Sequence, residues 1–272
     1  MLMFRNILNA LTSAVRTLFG NGKMVAAFVV LYATFIFALY LFFTTSEANI
    51  WKIALSILLT IVLLSLFFVL QAMGVNYSAQ ERKLSTLLTQ SAREFWKLLV
   101  LTLPIIILAG LVIWGVNKLG TSFTTGIREA ALSAGAEAKI KAGEERIKTL
   151  ELITTIVTAL LIYFIVPLFS IHLWIATLRD GIWQTLKGFG RIILRAFAPR
   201  SVLTYLLGFL VFGVIPYFII TTRTLLKNPW LDLSVLGFRI TLALLIGLLG
   251  WVVTVGTLSL LTIEKTEVAE NV

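Results

Sequence analysis

The residue whose type best fits a chemical role is His172, the single histidine of the chain, within an otherwise apolar segment. A histidine inside a membrane can relay a proton, bind a metal ion or act as the axial ligand of a haem or chlorin. Metal sites usually need several ligands, and no Cys, Asp or Glu lies in any of the long apolar segments to supply them. We therefore predict no metal site. Two roles stay open for His172: a neutral histidine bonded to a neighbouring helix, or a cofactor ligand.

Other catalytic patterns are missing from the sequence. It contains no G-x-x-x-x-G-K-[ST], G-x-S-x-G or H-E-x-x-H motif, so no argument for a nucleotide-binding protein, a serine hydrolase or a zinc protease can begin. Ion-coupled transporters and proton pumps usually carry acidic or paired charged residues at mid-membrane, and the apolar segments hold none. We predict a protein without enzymatic activity, with no catalytic residues and no bound cofactor.

The composition excludes a water-soluble domain. Of 272 residues, 59% are hydrophobic and 13% are charged, whereas soluble domains are about 45–50% apolar and about 25% charged. Six segments lack Asp, Glu, Lys and Arg, and each approaches the ~20 residues that cross a bilayer. These segments are 24–43, 53–73, 98–116, 152–178, 202–222 and 240–262. Because backbone N–H groups in lipid must bond within their own segment, we predict an all-α polytopic protein with six transmembrane helices, forming a single membrane domain over residues 1–272.

Loop charge predicts the orientation of the six helices. Six spans place both termini on one side, and that side carries thirteen Lys and Arg against at most ten on the other. Because basic residues favour the cytoplasmic side, we predict cytoplasmic N and C termini, with residues 263–272 as a cytoplasmic tail. The expected location is a bacterial inner membrane, which the chain crosses several times.

Three cytoplasmic segments have an apolar stripe and a basic opposite face, a pattern typical of helices that lie in the membrane interface. They fall within residues 1–23, 84–97 and 182–197. The basic residues that we expect to face anionic lipid are Arg93, Lys97, Lys187, Arg191 and Arg195. Two interpretations stay open: elbow helices that orient the spans, or a dedicated site for lipid or a partner protein.

The loop over residues 117–151 is predicted to lie on the external side. From Ile127 onward it is rich in Ala, Glu and Lys, with Glu137–Lys141 and Glu144–Lys148 in the i,i+4 order that supports a helix. We expect an exposed helix there, which can run into the fourth span. Being polar on all sides, this segment meets either water or a partner.

The sixth span carries the clearest signal for helix packing. Small residues recur in it at spacings of four, three, four and three, which places them on one face: Ala243, Gly247, Gly250, Thr254 and Thr257. Small residues let membrane helices approach each other closely. This face either packs within the chain or forms an interface with another subunit. Pro104, Pro167 and Pro216 lie inside other spans, and we expect a kink at Pro167.

A weak internal repeat links two cytoplasmic segments. Residues 79–82 and 176–179 share the pattern A-x-x-R, and each is followed by a basic amphipathic segment and a returning span. With Ala79/Arg82 and Ala176/Arg179 placed this way, the chain resembles bacterial six-helix inner-membrane proteins with cytoplasmic elbow helices. Among these are the YihY-type proteins and the membrane domain found beside glycerophosphodiester phosphodiesterases. The resemblance covers residues 51–222 and carries over no catalytic residues.

These observations favour a structural or accessory membrane subunit or scaffold. Its expected partners are anionic membrane lipids and other membrane proteins, either different subunits or further copies of the chain. The alternative is an uncoupled permease or lipid-handling protein with a path near Pro167 and His172. The net charge of +10 is built into interfacial segments, and no nucleic-acid module is present, so we expect no nucleic-acid partner.

Overall fold

The computed structural model describes residues 2–45, 49–78, 83–133, 137–222 and 228–270, and the elements within these ranges are all helical. The helices are α1 (Leu2–Phe19), α2 (Gly22–Thr44), α3 (Ile50–Asn76), α4 (Leu84–Ser133), α5 (Glu137–Leu160), α6 (Val166–Asp180), α7 (Ile182–Lys187), α8 (Phe189–Ala196), α9 (Pro199–Phe209), α10 (Ile215–Thr221) and α11 (Pro229–Glu270). Two π-helical turns, π1 (Leu161–Ile165) and π2 (Leu210–Val214), join α5 to α6 and α9 to α10. The all-α prediction is confirmed.

Six helices among the described residues are long and apolar enough to cross a membrane. Their bounds are Gly22–Thr44, Ile50–Asn76, Leu84–Ala130, Gly143–Asp180, Pro199–Thr221 and Pro229–Thr262. Each contains one of the six segments that lack charged residues, apart from a single residue at the end of the fifth. The prediction of a polytopic membrane protein with six spans is therefore confirmed.

The segment predicted as an external loop is mostly a helical hairpin. The third span continues as α4 to Ser133, and α5 begins at Glu137 and runs into the fourth span through π1. The expected exposed helix is found here. Residues 134–136 lie outside the described ranges.

The first interfacial segment, α1, has two apolar faces with different surroundings. Ile7, Ala14 and Leu18 are buried in the core, whereas Phe4 and Phe19 are more than half exposed. Part of the apolar surface of α1 faces the protein, because α1 packs along α11 and its Ile7 and Ala10 form a buried cluster with Leu261, and its place in the membrane interface stays a prediction. Only the exposed apolar face of α1, which includes Phe4 and Phe19, is left to contact the membrane surface.

The second and third interfacial segments differ from each other. Residues 84–97 do not form a helix of their own, because α4 runs without a break from Leu84 into the third span. The third segment is a true elbow: Gly181, with φ +80°, ends α6 and starts α7, and α8 follows before α9 begins at Pro199. A side chain at residue 181 would be strained in this left-handed conformation.

The described residues fall into two compact units, residues 1–99 with 171–272, and residues 100–170. The prediction of a single membrane domain stays a prediction. In the first unit the sixth span is central: α11 contacts α1, α2, α3, α9, π2 and α10, and residues 252–259 are all buried. The second unit consists of the later part of α4, α5, π1 and the start of α6.

Each π turn ends two residues before a proline, Pro167 in α6 and Pro216 in α10. A proline inside a helix removes one backbone hydrogen bond and its ring crowds the carbonyl four residues earlier. The π turns shift the bonding to i→i+5, so that Val166 N–H bonds to Leu161 O and Ile215 N–H to Leu210 O. A π turn thus precedes Pro167, where the kink stays a prediction, whereas Pro104 lies inside α4 without such a turn.

Candidate functional site

His172 lies in α6 and joins three helices through hydrogen bonds. Its side chain is 4% exposed, and its Nε2 atom lies 3.0 Å from Ser201 Oγ in the first turn of α9. The Ser201 hydroxyl donates to the carbonyl oxygen of Arg195, the last but one residue of α8, at 2.8 Å. Because that hydroxyl has a single proton and gives it to Arg195, Nε2 of His172 must carry the proton of the first bond. The elbow is thus tied to the fourth span.

The direction of these two hydrogen bonds determines whether His172 can activate Ser201 as a nucleophile. Activating a serine as a nucleophile requires a histidine that accepts the serine proton. Here Ser201 gives its proton to a backbone carbonyl and receives one from His172, so the pair has the reverse polarity. The arrangement is that of a histidine bonded to a neighbouring helix, one of the two roles left open by the sequence.

Two small cavities adjoin His172. One is lined by Arg195, Arg200, Ser201 and Thr262 among others and has a volume of about 20 Å³. The second, beside Arg179 and Asp180, has a volume of about 10 Å³. Each has room for about one water molecule. No group of three or more His, Cys, Asp or Glu side chains is found among the described residues, and the absence of a cofactor stays a prediction.

Three of the small residues of the sixth span, Gly247, Gly250 and Thr254, lie against the fifth span of the same unit. Ala243, Thr254 and Thr257 are buried. A Cβ atom added to Gly250 would lie 3.1 Å from Phe212 Cβ in π2, and one added to Gly247 would lie 3.5 Å from Phe212 O. Pro216 has no N–H to bond that carbonyl, and its ring also faces Gly247. The small residues accommodate the irregular surface that π2 and Pro216 create.

A polar contact that was missed from the sequence joins α3, the second span, to the sixth span. Trp251 Nε1 donates to Gln71 Oε1 at 2.8 Å, and Gln71 is buried. Interhelical hydrogen bonds of this kind support packing inside a membrane, where the hydrophobic effect between helices is absent. A glutamine in an apolar helix was the signal for this contact.

The basic residues predicted to face lipid are placed unequally. Lys187, Arg191 and Arg195 are exposed on the elbow formed by α7 and α8, next to the exposed side chains of Trp183 and Leu194. On α4, Arg93 is exposed, but Lys97 forms an ion pair with Glu94 at 3.5 Å. The elbow therefore carries the stronger uncompensated charge of the two segments.

A polar cleft in the helical hairpin of the second unit was also missed from the sequence. It lies between α4 and α5 and has a volume of about 710 Å³. Its lining is Asn117, Gly120, Thr121, Thr124, Thr125, Arg128, Glu129, Glu151, Thr154 and Thr155. Threonines recur at helical spacing on both sides of the hairpin, and this pattern could have indicated the cleft. In the sequence it resembles an ordinary surface that faces water.

Comparisons with protein-family models, with curated proteins and with solved structures give no match to this chain. The resemblance to YihY-type proteins therefore stays a prediction. Of the residues that carry it, Ala176 and Arg179 lie in the last turns of α6, whereas Ala79 and Arg82 lie outside the described residues. The chain is a membrane protein with six candidate spans. A proposal about its role therefore depends on the geometry of its own residues.

Proposed function

We propose that the chain is a non-enzymatic accessory or scaffold subunit of a membrane assembly, where it contacts other membrane proteins and anionic lipid. The observation that carries the proposal is the low burial of the third and fourth spans. Within the chain, the buried share of the apolar window is 6% for the fourth span and 11% for the third, as for the first, against 17% for the second and fifth and 50% for the sixth. These two helices have most of their surface available for lipid or for another protein.

The third span also has room for another helix to come close. A Cβ atom added to Gly110 or Gly115 would meet nothing within 4 Å. Glycines with open surroundings permit close backbone approach, and membrane helices associate through such residues. The two glycines lie five residues apart, about 140° around the helix, so each leaves a different face of α4 open to a protein partner, either a different subunit or a second copy of the chain.

The lipid contact is assigned to the elbow. Lys187, Arg191 and Arg195 are exposed beside Trp183, which is 77% exposed. A tryptophan next to several cations suits the level of lipid head groups, where each cation near an anionic leaflet contributes about 1 kcal/mol. Together with the loop charges, this favours a bacterial inner membrane and cytoplasmic termini.

The size of the purified protein in lipid nanodiscs tests the proposal. We expect an assembly larger than one 30.2 kDa chain, with acidic phospholipid retained. Leu substitutions at Gly110 and at Gly115, each made alone, test the two faces separately, and the one on the partner's side should reduce the assembly to single chains because it blocks close approach. The matched variant Gly237→Leu, which also has open surroundings but lies in α11, should leave it intact. A single chain that retains neither a protein nor acidic lipid would contradict the proposal.

The alternative of an uncoupled permease or lipid-handling protein finds less support beside His172. The two cavities beside His172 hold about one water molecule each. They therefore give a larger solute no path past His172 in this conformation.

A further inference from the structure

We propose that the polar cleft between α4 and α5 binds the head group of a zwitterionic phospholipid with a primary ammonium, that is, a phosphoethanolamine group. The cleft lies in the second unit, away from the basic elbow in sequence. The inference needs only that the chain spans a membrane and is independent of the scaffold proposal.

The cleft begins where the membrane-spanning segments end. Asn117 and Glu151 in its lining directly follow and precede the charge-free segments 98–116 and 152–178. Next to it, Lys118 Nζ lies 4.8 Å from the centre of the Trp114 ring. Trp and Lys at this point mark the membrane–water interface. The cleft is therefore placed at the depth of lipid head groups.

Two contacts close the inner end of the cleft. A Cβ atom added to Gly120 would lie 2.8 Å from Thr154 Oγ1, so the two helices touch at this position. One turn closer to the membrane, the Thr158 hydroxyl donates to Asn117 Oδ1 at 3.5 Å. Beyond these contacts the helices leave an open cleft with a volume of about 710 Å³, and most of the residues that line it are exposed.

The threonines of the cleft present acceptors rather than donors. The hydroxyl of each one donates to a carbonyl of its own helix at 2.8–2.9 Å, as seen for Thr121, Thr124, Thr125, Thr154 and Thr155. A hydroxyl has one proton and two lone pairs, so these groups keep lone pairs for a ligand. With the carboxylates of Glu129 and Glu151, the cleft is rich in acceptors.

This lining selects among the common head groups. A primary ammonium has three N–H donors and matches acceptors of this kind, while Arg128 provides a cation for the phosphate. A purely anionic head group would face two carboxylates without a cation of its own. A quaternary ammonium is bound by aromatic rings, and none of the described residues that line the cleft is aromatic. Phosphoethanolamine fits best.

Lipid retention measured by native mass spectrometry tests the inference. The full chain is reconstituted with equal amounts of phosphatidylethanolamine, phosphatidylcholine and phosphatidylglycerol that share the same acyl chains. We expect retention of the ethanolamine lipid over the choline lipid by about tenfold, the ratio given by one charge-assisted hydrogen bond. Equal retention of the two, or a preference for phosphatidylglycerol, would overturn the inference.

Paired variants locate the site. Glu129→Gln with Glu151→Gln should abolish the preference, whereas Glu144→Gln with Glu145→Gln, which removes two exposed carboxylates from α5 outside the cleft, should keep it. If the first pair stays helical and elutes normally but retains the preference, the inference is wrong. Competition with free O-phosphoethanolamine separates the sources of the ligand: displacement of the lipid assigns the cleft to the soluble group, and failure to displace it assigns the cleft to the lipid. Failure of this test leaves the size of the assembly, on which the scaffold proposal depends, unaffected.

Discussion

Gly208 of the fifth span packs directly on the side chain of Thr254 in the sixth, with no room for a Cβ atom between them. Thr254 cannot turn away cheaply, because its hydroxyl donates to Gly250 O at 2.7 Å. The two helices therefore meet here through a residue without a side chain and one whose side chain is held by a hydrogen bond.

Gly208→Ala should destabilise the protein by about 1–3 kcal/mol, the usual cost of extra atoms in a packed interior. The midpoint of thermal unfolding in mild detergent measures the effect. Gly237→Ala serves as the control, because it adds the same methyl group to an apolar helix where nothing lies within 4 Å. Equal midpoints for the two variants would show that the fifth and sixth spans do not meet at Gly208.

His172→Leu should lower the stability by about 1–3 kcal/mol, because the bond to Ser201 is lost in a buried site. His172→Gln keeps a side-chain N–H donor and should lose less. Thermal unfolding separates the two variants. We also expect no visible absorption band in the purified protein, and a band that disappears in His172→Leu would assign the histidine to a pigment or haem instead.

Tyr77→Phe should stabilise the protein by about 1 kcal/mol, since the Tyr77 hydroxyl is buried and has no hydrogen-bond partner among the described residues. Burial also raises the pKa of this phenol above its ordinary value. The ring itself is needed, because it packs on Gly256 and contacts Phe28 edge-on at 5.9 Å. Thermal unfolding checks the prediction, and a lower midpoint for Tyr77→Phe would reveal a partner for the hydroxyl.

The absence of cysteine from the chain makes its orientation testable with single-cysteine variants. Glu145→Cys, exposed on α5, should react in intact cells with a maleimide that does not cross membranes. Gln184→Cys, exposed on α7, should react only after the membrane is opened. The opposite pattern would reverse the predicted cytoplasmic location of both termini.

The six spans could be predicted because lipid excludes charge, and the gaps between charged residues show this directly. The packing face from Ala243 to Thr257 could be predicted because small residues at helical spacing serve few other purposes in a membrane helix. Both features depend on local spacing, which the sequence displays.

The partner of His172 could not be predicted, because Ser201 reaches it only through the turn at Gly181 and the elbow that follows. The sequence also did not show that the two apolar faces of α1 have different surroundings. Ala10 and Ala14 carry little apolar surface, yet they are buried, while the larger Phe4 is exposed. The polar cleft was missed because threonines in a charged segment look like a surface facing water. In each case the environment depends on a distant element.

The central position of α11 has a consequence for how the protein is made. This helix follows α1, α2, α3, α9 and α10 in the chain, and it contacts all of them. Chains are synthesised from the N-terminus, and elements can pack only once they exist. The earlier helices must therefore enter the bilayer before their common partner is made, and the first unit can complete its packing only when α11 leaves the ribosome and inserts.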